Sequence, residues 1–190
     1  MIRTNKDFLS YIELLDKKHP DFFVLEAHDS GDIILEQDKR YKVLFLIKEG
    51  ITKCYLSDEN GKDFIQEFFG EGMQFGELEV FSNKSSYCST EAITKVCTYK
   101  ISHTNYNYLL ENDPIFNKHV LKAMAEKIGY KAPRFSFQQS YSIEENLLKL
   151  KELYPDFDKL FSKKDIANYL GITIRSLNRT LNNLKESKKK

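Results

Sequence analysis

The stretch SKKDIANYLGITIRSLNRTLNNL, residues 162–184, leaves this chain the least conformational freedom. Ser162 can cap a helix that carries Asp165 in its first turn. Ile166 and Leu170 fall on one face of that helix, and Ala167 is small enough for a second helix to cross closely over it. Gly171 suits the left-handed C-terminal position at which the chain turns sharply. Ile172 plugs the turn, Thr173 caps the next helix, and Leu177, Leu181 and Leu184 bury its inner face. The pattern predicts two short helices, Ser162 to Leu170 and Thr173 to about Glu186, packed as a tight bihelical unit. A third helix containing Ile143, Leu147, Leu148 and Leu150 precedes them and ends near Tyr154-Pro155.

The first half of the chain has a different grain. Six of the chain's eight glycines (Gly31, Gly50, Gly61, Gly70, Gly72 and Gly76) fall there and punctuate short apolar and aromatic runs such as KVLFLIKEG, ITKCYLS and DFIQEFFG. Short strands with turns at this spacing indicate an antiparallel sandwich or roll. The Asn60-Gly61 pair offers the positive φ angles of a tight hairpin between two of them. A second strand set follows in CSTEAITKVCTYKIS. Before the strands, Thr4 can cap a short helix with Phe8, Ile12 and Leu15 on one side. After them, Thr104 to Asn112 reads as helix, stopped at Asp113-Pro114.

Pro114 starts a longer helix at a position where its missing N–H costs nothing. Ile115, Phe116, Val120, Leu121, Met124 and Ile128 form an apolar stripe, either core or a dimer seam. Phe116, Val120, Met124 and Ile128 are the candidate dimerisation residues. Gly129 and Pro133 weaken the helix, which predicts a bend in KAPRFSFQQ. The expected fold class is α+β: an antiparallel β-roll over residues 1–112, a long helix and hinge over 113–140, and a helical unit over 141–190.

Hydrophobic residues at 41% and charged residues at 30% are ordinary for a globular protein. No apolar run approaches the roughly 18 residues that span a bilayer, and the start, MIRTNKDFLSYIELL, lacks the pattern of a signal peptide, so a cytoplasmic location is expected. Cys54, Cys88 and Cys97 have no metal-ligand or disulfide-framework spacing, and His19, His28, His103 and His119 are scattered. No metal site is expected. The net charge of +1 conceals an asymmetry: from Asp156 onward, nine Lys or Arg face four Asp or Glu. A basic terminal unit on a slightly acidic body suits contact with nucleic acid.

The outer face of the last helix fits that chemistry. Ile174, Arg175, Ser176, Asn178, Arg179 and Asn182 point away from the leucine face. Arginine can address guanine edges bidentately, and asparagine can do the same for adenine. Thr173, Lys163, Lys164 and Lys185 are placed to meet phosphates, which position a protein without reading sequence.

Taken together, these motifs resemble the superfamily of bacterial regulators that includes the cyclic AMP receptor protein and Fnr. GDIILEQDKRYKVLFLIKEGITKCYLSDENGKDFIQEFFGEGMQFGELEVF is similar to its cyclic-nucleotide-binding β-roll. The helix from Pro114 matches its dimerisation helix, and the helix-turn-helix lies where that family carries it. The resemblance implies a homodimer reading double-stranded DNA at half-sites about one helical turn apart, with RNA polymerase as a further partner. In nucleotide-binding members, a Phe-Gly-Glu-Leu segment is followed by an arginine that pairs with the cyclic phosphate. Phe75, Gly76, Glu77 and Leu78 are present here, but the arginine position falls at about Tyr87, followed by Cys88 and Ser89, and no arginine occurs between Arg40 and Arg134. These seven residues are the candidate effector pocket. A phosphate buried there would lack a bidentate cation, so any small-molecule effector is expected to be something other than cyclic AMP.

The cysteine cluster of iron–sulfur members is missing, and nothing supports haem. The positions that often hold an Arg-Glu pair in the recognition helix are Ile174 and Arg175, while Arg179 aligns with a base-reading arginine. The family usually continues into a β-hairpin wing, and the sequence shows no evident wing before ESKKK. One competing reading is a ligand-binding or protein-interaction module whose helical domain no longer binds DNA. Another is a cupin-like metalloenzyme, which would need a His/Glu ligand set that His28 does not have. An enzyme is not expected.

Overall fold

The computed structural model describes the backbone of residues 2–187, and the side chains of all of these except 134–139, 153 and 185–187. Strand β1 (Ile2–Arg3) leads into helix α1 (Lys6–Lys18). Strands β2 (Phe23–His28), β3 (Ile33–Leu35), β4 (Val43–Glu49), β5 (Thr52–Ser57), β6 (Asp63–Phe69) and β7 (Gln74–Phe75) follow. A short helix α2 (Glu77–Ser82) separates them from β8 (Ser89–Ala92) and β9 (Val96–Ser102). The remainder is helical: α3 (His103–Asn112), α4 (Pro114–Ser140), α5 (Ile143–Leu153), α6 (Phe157–Leu160), α7 (Lys163–Leu170) and α8 (Ile174–Ser187). The strands form two facing sheets, β1-β6-β5-β8-β3 and β2-β9-β4-β7. All neighbours run antiparallel except β1 beside β6. This is the α+β roll-plus-helices architecture expected from the glycine-punctuated strands.

Two local expectations needed adjustment. Asn5, not Thr4, caps α1, accepting a hydrogen bond from the Phe8 N–H at 3.2 Å. At the β5–β6 hairpin only Gly61 takes a positive φ, +73°. Asp58 replaces the second left-handed residue: its carbonyl accepts from Gly61 N–H, and its side chain accepts from the N–H groups of Asn60 and Lys62. A three-residue loop with glycine in the left-handed position results. The helix α6 between α5 and α7 carries too little periodicity to be read from sequence.

The interior of the roll is lined by Ile34, Leu35, Phe45, Ile47, Phe69, Met73 and Phe75. A second core lies beneath α1, α3 and α4, where Phe8, Ile12 and Leu15 meet Leu44, Tyr99, Tyr106, Phe116 and Val120. Phe116 and Val120 were candidate dimer residues, but both are fully buried in the core of their own chain. The stripe on α4 is therefore two faces. Phe116, Val120 and Ala123 pack inward, while Leu121 and Ile128 remain 63% and 69% exposed. α4 continues through Gly129 and Pro133, and the turn into α5 comes at Tyr141-Ser142, after the segment where a bend was predicted. The side chains of 134–139 in that segment lie outside the described residues.

The third core joins the two halves of the chain. Tyr55, Ile65 and Phe68, from β5 and β6, pack with Leu147, Leu150, Phe157, Phe161, Ile166, Ala167, Tyr169 and Leu177. A bulge makes this possible. Cys54 pairs with Glu67 and Tyr55 with Ile65, leaving Gln66 as the extra residue. Ile65 and Phe68, three apart, then face the same side of the sheet.

Candidate ligand cavity and nucleic-acid interface

A cavity of about 220 Å³ opens between the inner face of β5–β6, the β7–α2 corner and helix α4. Gly76, at φ +88°, makes the corner, and a Cβ there would meet Leu44 and Leu35 at 3.2 and 3.3 Å. The corner sets Glu77 and Glu79 in the first turn of α2, both buried. Six of the seven predicted pocket residues line the cavity: Phe75, Gly76, Glu77, Leu78, Tyr87 and Cys88. Ser89 is the exception. It belongs to β8, and its Oγ accepts the Gln37 N–H at 3.0 Å.

The sequence reading missed the other wall. Lys127 donates to Glu77 Oε1 and to the Gln74 carbonyl, each at 2.6 Å, and its Nζ lies 4.8 Å from the centre of the Phe69 ring. Lys131 reaches Glu67 Oε2 at 3.4 Å. Met124, Lys127, Ile128 and Lys131 follow helical spacing along α4 and all line the cavity, a pattern that could have signalled this face. On the β-strand side, Glu67 is fully buried and takes a 2.6 Å ion pair from Arg3. The cation opposite Glu77 is thus already engaged within the protein.

Cys54 and Cys88 meet in the wall. The hydrogen bond to Cys88, reinforced by burial, pushes the Cys54 thiol up and keeps it protonated. Among the described residues no His, Cys, Asp or Glu group could hold a metal ion.

The opposite face of the same two strands carries the helix-turn-helix. Lys53, beside Tyr55 on the outer face of β5, bonds Asp165 of α7 at 3.0 Å and Glu91 at 2.9 Å. Burial alone would push the Lys53 ammonium down; these bonds outweigh it and hold it above the usual lysine range. Phe68 stacks obliquely on Phe161 with ring centres 4.0 Å apart and on Tyr169 at 5.3 Å. From α4, the Tyr130 hydroxyl lies 2.9 Å from that of Tyr169.

The helix-turn-helix itself is built as its residues imply. Ser162 Oγ accepts from the Asp165 N–H at 3.0 Å and donates to its carboxylate. Gly171 takes φ +71°, and Thr173 Oγ1 accepts from the Ser176 N–H at 3.1 Å. With Leu177 fully buried, Thr173, Ile174, Arg175, Arg179 and Asn182 are exposed, and Ser176 and Asn178 are half-buried at the edge of that face. Lys163 is exposed, whereas Lys164 pairs with Asp63 of the roll at 3.5 Å. The predicted phosphate contact Lys185 has its side chain outside the described residues.

A β-roll with a half-open cavity, followed by a long helix and a terminal helix-turn-helix, is the architecture of a bacterial transcription regulator. Residues 25–113 match the cyclic nucleotide-binding domain family, and residues 161–188 match the bacterial regulatory proteins of the crp family. The chain belongs to the Crp/Fnr superfamily of transcription regulators. It is 24% identical over 166 residues to the probable transcriptional regulator flp of Lacticaseibacillus casei, covering 84% of this chain and 75% of that one. Its fold is similar to that of the c-di-GMP responsive global regulator CLP of Xanthomonas campestris, with a TM-score of 0.78 at 11% identity and 90% of each chain covered. It is also similar to TTHA1359, a regulator from Thermus thermophilus, with a TM-score of 0.71 at 17% identity over 86% of this chain and 87% of that one. No described helix is long and apolar enough to cross a membrane.

Proposed function

We propose that this protein is a sequence-specific DNA-binding regulator that works as a homodimer, gated by a small molecule other than cyclic AMP. The observation that carries the reading is the outer face of α8. Arg175 and Arg179 stand about one turn apart, both exposed, and among the described residues neither is held in an ion pair. An exposed pair of unengaged guanidinium groups on the second helix of a helix-turn-helix is what base reading in a major groove requires.

Selection from random duplex DNA, followed by binding at graded salt, tests this. The wild type should enrich a two-fold symmetric site. Arg175→Ala and Arg179→Ala should each lose about 1–3 kcal/mol on that site while keeping residual phosphate affinity. Binding that stays nonspecific and vanishes at moderate salt would instead favour a helical domain without a sequence-reading role.

The dimer reading rests on α4. Leu121 and Ile128 are large, apolar and exposed on one side of a 27-residue helix, with Leu78 and Phe81 of α2 also exposed. Such a face on a soluble protein marks an interaction surface, and two-fold symmetry pairs it with itself. Leu121→Glu/Ile128→Glu should sediment as a monomer with an unchanged circular dichroism spectrum, and its affinity for the two-fold site should fall with it. A double variant that remains dimeric would place the seam elsewhere.

The physical basis for gating is that one strand pair serves both sites. β5 and β6 turn Cys54, Glu67 and Phe69 toward the cavity and Lys53, Tyr55, Ile65 and Phe68 toward the helix-turn-helix. Helix α4 likewise presents Lys127 and Lys131 to the cavity and Tyr130 to Tyr169. A ligand that binds one arrangement of these elements better than another shifts the population of helix-turn-helix positions.

A further inference from the structure

We infer that the cavity takes a compact, largely apolar molecule bearing an amino group, with the Glu79 carboxylate as its recognition partner. The inference rests on the gated-regulator reading and deepens it by naming the ligand's chemistry.

Size comes first. An apolar cavity of about 150 Å³ accommodates a benzene ring, so the 220 Å³ here has room for a single substituted ring. Charge is the second consideration. Three carboxylates line the space: Glu67, Glu77 and Glu79. Glu67 is matched by Arg3 and Lys131, and Glu77 by Lys127. Glu79 has no cationic partner among the described residues. It is 5% exposed, and among the described residues its Oε1 accepts only the Tyr87 backbone N–H at 3.3 Å while its buried Oε2 has no hydrogen-bond partner. The ionisable side chain whose field reaches it from β9–α3, His103, is held below the ordinary histidine range by burial, so it supplies no standing positive charge.

A buried carboxylate oxygen left without a donor is costly, and a ligand N–H would remove that cost. The same feature repels a cyclic phosphate. Lys127, the cation nearest the Phe-Gly-Glu-Leu corner, is already bonded to Glu77 and the Gln74 carbonyl.

A matched set of probes tests the assignment: 2-phenylethylamine, 2-phenylethanol, phenylacetate and cyclic AMP, each titrated at millimolar concentration into the full chain with thermal unfolding as readout. The amine should raise the melting temperature most, the alcohol less, and the two anions not at all. Glu79→Gln should weaken the amine about tenfold, to the level of the alcohol. The chain contains no tryptophan, so Tyr87→Trp at the cavity wall gives an independent fluorescence reading of the same order of affinities, whatever the stability of the Glu79 variant. A ranking led by phenylacetate or cyclic AMP would overturn the inference, and so would the absence of binding by all four. Sequence-specific DNA binding is read in ligand-free protein through Arg175 and Arg179, so its failure and the failure of the amine ranking are separate results.

Discussion

Replacing Phe68 by alanine should lower the stability of the whole chain by about 3–5 kcal/mol, read as a fall in the urea midpoint. Phe68 is fully buried, and the cluster it belongs to draws most of its buried members from α5 to α8 rather than from the sheet. Its ring lies between Phe161 and Tyr169, so truncation opens a cavity at the junction of the roll and the helix-turn-helix. The loss therefore has a second consequence: the tie of α7 to the rest of the fold comes to rest on polar contacts such as Lys53–Asp165, Lys164–Asp63 and Tyr130–Tyr169. Ion pairs at a partly wet junction contribute little without the apolar contact. Hydrogen exchange in α7 and α8 should accelerate more than in β4 and β9, whose core is separate. A cost below about 1 kcal/mol, in the range of surface substitutions, would mean that α7 does not rest on β6 in solution.

Arg3→Met is the second large effect expected, again about 3–5 kcal/mol, because it strips a buried carboxylate of its main partner. Glu67 is fully buried, Arg3 approaches it at 2.6 Å, and Lys131 stands farther off at 3.4 Å, so the lysine should keep the loss near the low end. The penalty belongs to the stranded charge rather than to the pair. Adding Glu67→Gln to Arg3→Met should then recover most of the stability, and a double-mutant cycle by denaturant unfolding checks it. If the double variant is as unstable as the sum of the singles, Arg3 acts through its packing over the Tyr130 ring, 5.1 Å from the guanidinium, instead.

The helix-turn-helix was legible because every signal in it is local. Ser162, Gly171 and Thr173 act on backbone groups within three or four residues, and the leucines declare their face by helical spacing. The cavity was legible on its β7–α2 side for the same reason: the turn at Gly76 and the segment after it are contiguous in sequence. Its other wall was not. Lys127 lies 50 residues from Glu77 and Lys131 lies 64 from Glu67, and on α4 they look like ordinary solvated lysines until the helix is laid against the roll. The burial of two dimer candidates, Phe116 and Val120, was hidden for a related reason. Phe116, Val120, Met124 and Ile128 share one apolar stripe, and periodicity cannot say which part of a stripe its own chain covers.

The sequence by itself determined the elements and their order: a strand roll punctuated by glycine, a long helix from Pro114, and a helix-turn-helix with a basic outer face. These follow from backbone conformational preference and from hydrophobic periods of two and 3.6, all short-range. The tertiary structure alone decided which charges are matched and which faces are shared. It set Lys127 against Glu77, left Glu79 without a cation among the described residues, buried Phe116 and Val120, and put the cavity and the helix-turn-helix on opposite faces of β5 and β6. Burial and charge pairing depend on distances between residues far apart in the chain, and only the packed fold fixes those distances.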